Sequence, residues 1–397
     1  MPSFDVALEA ELAELAALGR RRACPELAGR SRTDVEVSGD SRLSFCSNDY
    51  LGLAENPALP AAAAEAAMRE GFGASASRLV SGDFPAHRRL EQALARFLER
   101  PAALVFPSGY QTNIGVLTAL AGPDDVIVSD ALNHASIIDG CRLSRARIAI
   151  YPHRDVDLAA RLLDEGRGAR RRLLVTESLF SMNGDAAPLG PLAEAAKRHD
   201  AVLIVDEAHA LGVLGPRGRG LCAAAGVEPE VLIGTLGKAL AAAGGFVASS
   251  RVLRDLLVNR ARSFIFTTAL PPPVAAAALA ALEIVDGPEG DRRRALLHDH
   301  AANLAPRLAA LRRIRAGAGD TEIPAETVAG SPIQPFIVGS DADAVDLSAV
   351  LAHRRIFVPA IRPPTVPLGS ARLRITLSAS HTPADLDRLI AALRPLG

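Results

Sequence analysis

From about residue 85 to 270, short continuous apolar runs alternate with stretches whose apolar residues return every three or four positions. The runs are AALVFPSG (102–109), DVIVSD (125–130), ARIAIYP (146–152), RRLLVTES (171–178), AVLIVDEAH (201–209), VLIGTLG (231–237) and GGFVASS (244–250). Each is bounded by Gly, Pro, Asp or Ser, and most are too continuous to leave one face in water. That pattern predicts strands buried on both faces of a mainly parallel sheet. Stretches such as HRRLEQALARFLE (87–99) and PLAEAAKRHD (191–200) have helical periodicity and lie between the runs, so the expected architecture is α/β with helices on both faces. At GPEGDRRR (287–294) the chain turns polar and turn-like, which places a boundary near residue 287. Beyond it come a helix, the strands IQPFIVG, IFVPAI and ARLRITLS, and a last helix TPADLDRLIAALRPL (382–396), with Thr382 as cap and Pro383 in its first turn. The expected division is an N-terminal segment 1–55, a large domain 56–287 and a small α+β domain 288–397.

Composition narrows the partners. The chain has 397 residues, 49% hydrophobic and 22% charged, with net charge −1. Its length calls for more than one core, and its charge advertises neither nucleic acid nor membrane. Four scattered cysteines form no CxxC pair and fit a reducing, cytoplasmic setting without a metal site. The N-terminus MPSFDVALEAELAELAALGRRR is acidic before it is basic, the reverse of a signal peptide, and is expected to form a short amphipathic helix. The uncharged run 263–282 is long enough to span a bilayer, but three consecutive prolines within it argue against a transmembrane helix.

In an open parallel sheet, ligands bind beyond the carboxyl ends of the strands. The residues there are Ser108-Gly109-Tyr110, Asn133-His134, Glu177 to Ser181, Asp206 with His209, and Thr235 to Lys238. Asp206 and His209 belong to DEAH, a helicase-like string, but no phosphate loop GxxxxGK[ST] precedes it. Lys238 is more telling. It is one of only two lysines among 44 basic residues, and it stands in the small-residue stretch TLGKALAAAGG (235–245). An amine that can lose its proton forms imines, and a guanidinium cannot. Pyridoxal phosphate (PLP) is the cofactor bound that way. Its ring nitrogen wants an anion, for which Asp206 is placed, and its phosphate wants a helix start and hydroxyls, which Gly109, Tyr110 and Thr235 supply. His134 is available to cover the ring.

These motifs resemble those of the α-oxoamine synthases, PLP enzymes of fold type I that condense an amino acid with an acyl thioester and release CO2. The likeness runs from about residue 20 to the end of the chain through SNDYLGL (47–53), SGYQTN (108–113), NHAS (133–136), TESLFSMNGD (176–185), DEAHALGVLGPRGRG (206–220), TLGK (235–238) and TTALPP (267–272). It implies a large domain built on a mainly parallel seven-stranded sheet, a smaller α+β C-terminal domain and a short N-terminal segment. It also implies that Lys238 carries the imine and moves the Cα proton, that Asp206 pairs with the ring nitrogen, that His209 binds the phenolic oxygen and that His134 stacks on the ring. Gly109, Tyr110, Ser181 and Thr235 would touch the cofactor, and Thr267 and Thr268 would reach the phosphate from a partner subunit, implying a homodimer with shared sites. Arg374 would hold the amino-acid carboxylate, with Asn48 a second candidate, and Arg20 and Thr365 would touch substrate. The form AIRPPTVPLGSARLRITLSASH (360–381) is most similar to members that join L-alanine to pimeloyl-CoA or pimeloyl-acyl carrier protein. Glycine- or serine-using synthases of the family and fold type I aminotransferases are the alternatives. After the lysine, members usually carry Gly or Ala, then Phe, then Gly; here Leu240 and Ala241 stand in place of Phe-Gly.

Overall fold

A computed structural model describes residues 3–29, 31, 33–316 and 327–394. They form two compact units: residues 48–181 with 185–296, and the described residues before 48 with 182–184 and the described residues from 297 on.

The larger unit is built on a seven-stranded sheet. In spatial order the strands are Ala102–Phe106, Gly245–Ser249, Val231–Thr235, Val202–Asp206, Arg172–Glu177, Val126–Asp130 and Arg147–Tyr151. These are the seven apolar runs. All point the same way except Gly245–Ser249, which is antiparallel to both neighbours. Six of the seven are buried throughout, or all but their first or last residue, because helices cover both faces. The terminal strand Arg147–Tyr151 breaks the pattern: Ile150 is 63% exposed, and only Tyr151 is fully covered. On one face, Leu104, Phe106, Ile127, Val175, Ile204, Ile233 and Val247 form a core with Val116 and Leu117 of helix Gly109–Leu120 and Ile137 of helix Ala135–Ser144.

The smaller unit holds two sheets. One contains Leu27–Ala28, Asp34–Val37, Asp40–Ser44 and Ile356–Phe357; the other contains Ile333–Gly339, Ala371–Thr376 and Ala360–Ile361. The first 47 residues therefore cluster with the C-terminal part instead of standing apart as a segment 1–55, since Asp40–Ser44 pairs in parallel with Ile356–Phe357. IFVPAI is not one strand. Pro359 offers no N–H for a ladder, and the two halves join different sheets.

Two other expectations need correction. GPEGDRRR is not a turn; helix Pro288–Ala316 begins inside it. Pro288 suits a first helical position, and Glu289 complements the helix N-terminus while pairing with Arg293 four residues on at 2.7 Å. The N-terminal helix Phe4–Ala17 exists, but it buries no residue, so its apolar side chains form no covered stripe. The last helix is Pro383–Leu393, opened by a reciprocal capping box between Thr382 and Asp385. Residues 395 and 396 of the run 382–396 lie outside the described residues. Among the described residues, no helix is long and apolar enough to cross a membrane.

Candidate active site

The strand directions put Phe106, Asp130, Tyr151, Glu177, Asp206 and Thr235 at one edge of the large sheet, with the start of the antiparallel strand at Gly245. Helix Gly109–Leu120 rises from this edge. Ser108 caps it, its hydroxyl accepting from Gln111 N at 3.1 Å, and the first-turn N–H groups face outward as an anion receptor. Gly245 must be glycine, because a Cβ there would stand 2.6 Å from Gly109 Cα. That close approach brings the helix start against the strand that follows Lys238.

Lys238 sits on the reversal between Val231–Thr235 and Gly245–Ser249. Leu236 N donates to Gly244 O at 3.0 Å, Ala242 N to Leu236 O at 2.9 Å, and Thr235 Oγ1 to Gly244 O at 3.0 Å. Gly237 N returns a bond to Thr235 Oγ1 at 3.2 Å. Held this way, Lys238 Nζ lies 2.8 Å from His209 Nε2. His209 Nδ1 lies 2.7 Å from Tyr50 Oη, which donates to Asn48 Oδ1 at 3.0 Å. Tyr50 is fully buried and His209 nearly so.

Asp206 ends the central strand and is buried. Its oxygens accept from Ala208 N at 2.9 Å and Asn113 Nδ2 at 2.8 Å. Asn113 Nδ2 also donates to Ser136 Oγ at 2.9 Å, and Ser136 Oγ lies 2.8 Å from His134 Nδ1. One amide thus connects the carboxylate to the histidine. Asn113 lies in SGYQTN and Ser136 in NHAS, but sequence alone assigned neither a role; the signal was a polar side chain on the apolar face of its helix. Glu177, the register partner of Asp206 on the next strand, is buried. Its desolvation, reinforced by the Asp206 charge, pushes its carboxyl up to about 8.

Ser181 is buried on the segment after Glu177, where Phe180 N donates to Asp185 O at 2.9 Å. Asp185 and the equally buried Asp130 clamp His153, at 2.8 Å to Nε2 and 3.0 Å to Nδ1. Burial alone would lower the pKa of this histidine, but the two acids overcome it and raise it to about 9. The Tyr110 hydroxyl donates to Asp139. Thr268 is exposed, and Thr267 Oγ1 donates to its carbonyl at 3.4 Å, so neither joins the Lys238 network.

The remaining residues belong to the smaller unit. Arg374 is buried on strand Ala371–Thr376. Arg20 Nε is paired with Asp341 at 3.2 Å, whereas Arg22 Nη2 donates to Pro363 O at 3.3 Å, which separates these two members of the GRRR run. Thr365 is exposed, its N–H bonded to Arg362 O at 3.1 Å.

A buried acid, an imidazole-bound lysine and a capped helix start on one edge of a type I sheet define a class, and comparison with known families agrees: the "Aminotransferase class I and II" family matches residues 41–393, and the chain belongs to it. Among curated relatives, the 8-amino-7-oxononanoate synthase of Anaeromyxobacter dehalogenans is 52% identical over 386 residues, covering 97% of this chain and 94% of its own. That of Marinobacter nauticus is 50% identical over 392 residues, covering 98% and 95%. Among solved structures, a serine palmitoyltransferase from S. paucimobilis with bound PLP–myriocin superposes with a TM-score of 0.90 at 31% identity, covering 98% of this chain and 96% of the other. An 8-amino-7-oxononanoate synthase from Francisella tularensis gives 0.73 at 28%, covering 89% and 96%.

Proposed function

We propose that this chain is a PLP-dependent C-acyltransferase of the α-oxoamine synthase group that joins L-alanine to a pimeloyl thioester, giving 8-amino-7-oxononanoate, CO2 and free thiol, a step of biotin biosynthesis. The observation that carries the choice of reaction is 52% identity to a curated synthase of that activity along nearly the whole chain. The residues present fit the cofactor. Lys238 offers the amine, Asp206 an anion at a strand end, and helix Gly109–Leu120 a first turn of donors with Thr235 Oγ1 beside Gly109. When bound, PLP supplies an electron sink for the charge left at the amino-acid Cα.

The protein's own residues supply the rest. Asp206 holds the ring nitrogen, and Asn113 holds Asp206. Lys238 moves a proton to and from Cα, and His209 is placed to accept from its amine and steady it. His134 covers the ring and meets the oxygen of the acyl group. Ser181 and Thr235 contact the cofactor, Gly109 and the N–H of Tyr110 take the phosphate, and Thr267 and Thr268 of a second subunit complete that contact in a cytoplasmic homodimer. Arg374, with Asn48, takes the alanine carboxylate through a forked pair of hydrogen bonds; Arg20 and Thr365 contact the acyl substrate, delivered as pimeloyl-CoA or pimeloyl-acyl carrier protein. Mass-spectrometric identification of the product from L-alanine and pimeloyl-CoA tests this reading. 8-Amino-7-oxononanoate is expected, and a product formed only from glycine or serine, or amino exchange with keto acids without thioester, would overturn it.

A further inference from the structure

We propose that Asn113 and Ser136 are positioning residues that fix His134 in the tautomer carrying its proton on Nε2, so that this histidine meets the reacting groups as a hydrogen-bond donor. The word "reacting" rests on the function proposed above; the tautomer does not.

The argument starts at Asp206, which can only accept. Its contact with Asn113 at 2.8 Å therefore identifies Nδ2 as the nearer amide atom and fixes the orientation of the Asn113 side chain. The second hydrogen on Nδ2 then points into Ser136 Oγ at 2.9 Å. With that lone pair filled by a donor, the Ser136 hydroxyl turns its own proton toward His134 Nδ1, 2.8 Å away. The backbone N–H of Ser136 aims at the same nitrogen at 3.2 Å, because His134 is the N-cap of helix Ala135–Ser144 and its ring accepts as a capping oxygen would. Two donors converge on Nδ1. A proton there would face the Ser136 N–H head-on, so the ring proton belongs on Nε2, which engages no other described residue.

The surroundings act in the same direction overall. His134 keeps a face open to solvent, yet the protein packed around it lowers its pKa. The charges of Asp206 and Asp139 oppose this and that of Lys238 assists. Burial thus favours the neutral ring, whose one N–H lies on Nε2. Asn113 and Ser136 are both buried, so solvent does not compete for these bonds. The same amide steadies the acid placed for the ring nitrogen and, through Ser136, orients the histidine placed for the ring face.

The test is a long-range proton–nitrogen NMR spectrum of the full chain with labelled histidine, free of cofactor, with His134 assigned by its loss in His134→Gln. An unprotonated Nδ1 and a protonated Nε2 are expected. Ser136→Ala removes the shorter of the two donors and leaves only the backbone N–H at 3.2 Å, so it should admit a measurable fraction of the Nδ1-protonated tautomer and lower kcat for L-alanine with pimeloyl-CoA about tenfold while leaving KM for L-alanine nearly unchanged. Ser136→Thr, which keeps the hydroxyl, should restore both. A proton found on Nδ1 in the unaltered protein would overturn the inference, as would Ser136→Ala with unchanged tautomer and kcat. Because the spectrum needs neither cofactor nor substrate, its outcome is independent of product identification.

Discussion

His134 and His153 stand just past the ends of neighbouring strands, Val126–Asp130 and Arg147–Tyr151, on the same edge of the same sheet. Their surroundings make them opposites. His153 has a buried carboxylate on each nitrogen and is held as a cation. Its ring meets Phe180 edge-on, with centroids 4.3 Å apart. Everything it can donate is spent within the fold. His134 has one nitrogen spent and one turned outward. The stronger pKa shift belongs to the structural histidine, so a perturbed pKa by itself picks out the wrong ring. What separates chemistry from architecture here is the direction in which an unspent hydrogen points.

The largest expected effect breaks the chemical side alone. Lys238→Ala should reduce turnover by about 10⁴-fold or more, since it removes the amine held at His209 Nε2, and should leave the melting temperature almost unchanged. A rate within tenfold of the original would sink the assignment of Lys238. His153→Asn should do the reverse. It leaves Asp130 and Asp185 buried without their cation, which costs about 3–5 kcal/mol in denaturant unfolding, while kcat per folded molecule stays close to that of the unaltered protein. The pH dependence sharpens this. Between pH 6.5 and about 9 the folded chain keeps a proton on His153 that the unfolded chain has lost, so His153's stabilisation is complete below 6.5 and disappears as pH passes 9. Stability measured across that window should decline less steeply in His153→Asn, and an unchanged slope would contradict the clamp. The smallest effect concerns the lysine loop. Ala241 holds φ at +48°, which a glycine adopts at little cost. Ala241→Gly should therefore raise stability by about 1 kcal/mol in the same denaturant assay, and a loss of stability would mean that the backbone is not strained there.

The sequence made the large sheet readable because burial on both faces removes the polar interruptions that blur other strands. The exposed strand Arg147–Tyr151 was found as one of the short apolar runs, but its exposure was not foreseen. GPEGDRRR misled because Pro, Gly and Asp serve helix starts as readily as turns. Residues at strand ends, Asp206 and Lys238 above all, could be picked out because parallel topology collects them. Their supports could not. Asp130 and Asp185 lie 23 and 32 positions from His153, and Tyr50 lies 159 from His209. No local pattern encodes such pairings. The substitution of Leu240 and Ala241 for Phe-Gly, a departure when seen as letters, becomes in three dimensions a buried leucine followed by a residue in the left-handed region.

The one antiparallel strand has a consequence for how the lysine loop can change over time. Both strands that flank residues 236–244 lie inside the sheet, so neither can slide without breaking ladders on two sides. The loop's length is thereby gauged by the sheet, while its letters are not. Apart from Lys238, the buried Leu236 and Leu240, and Gly244 at φ +119°, such a segment should tolerate substitution better than insertion or deletion, since a single added residue would change the height at which the amine stands above the sheet edge.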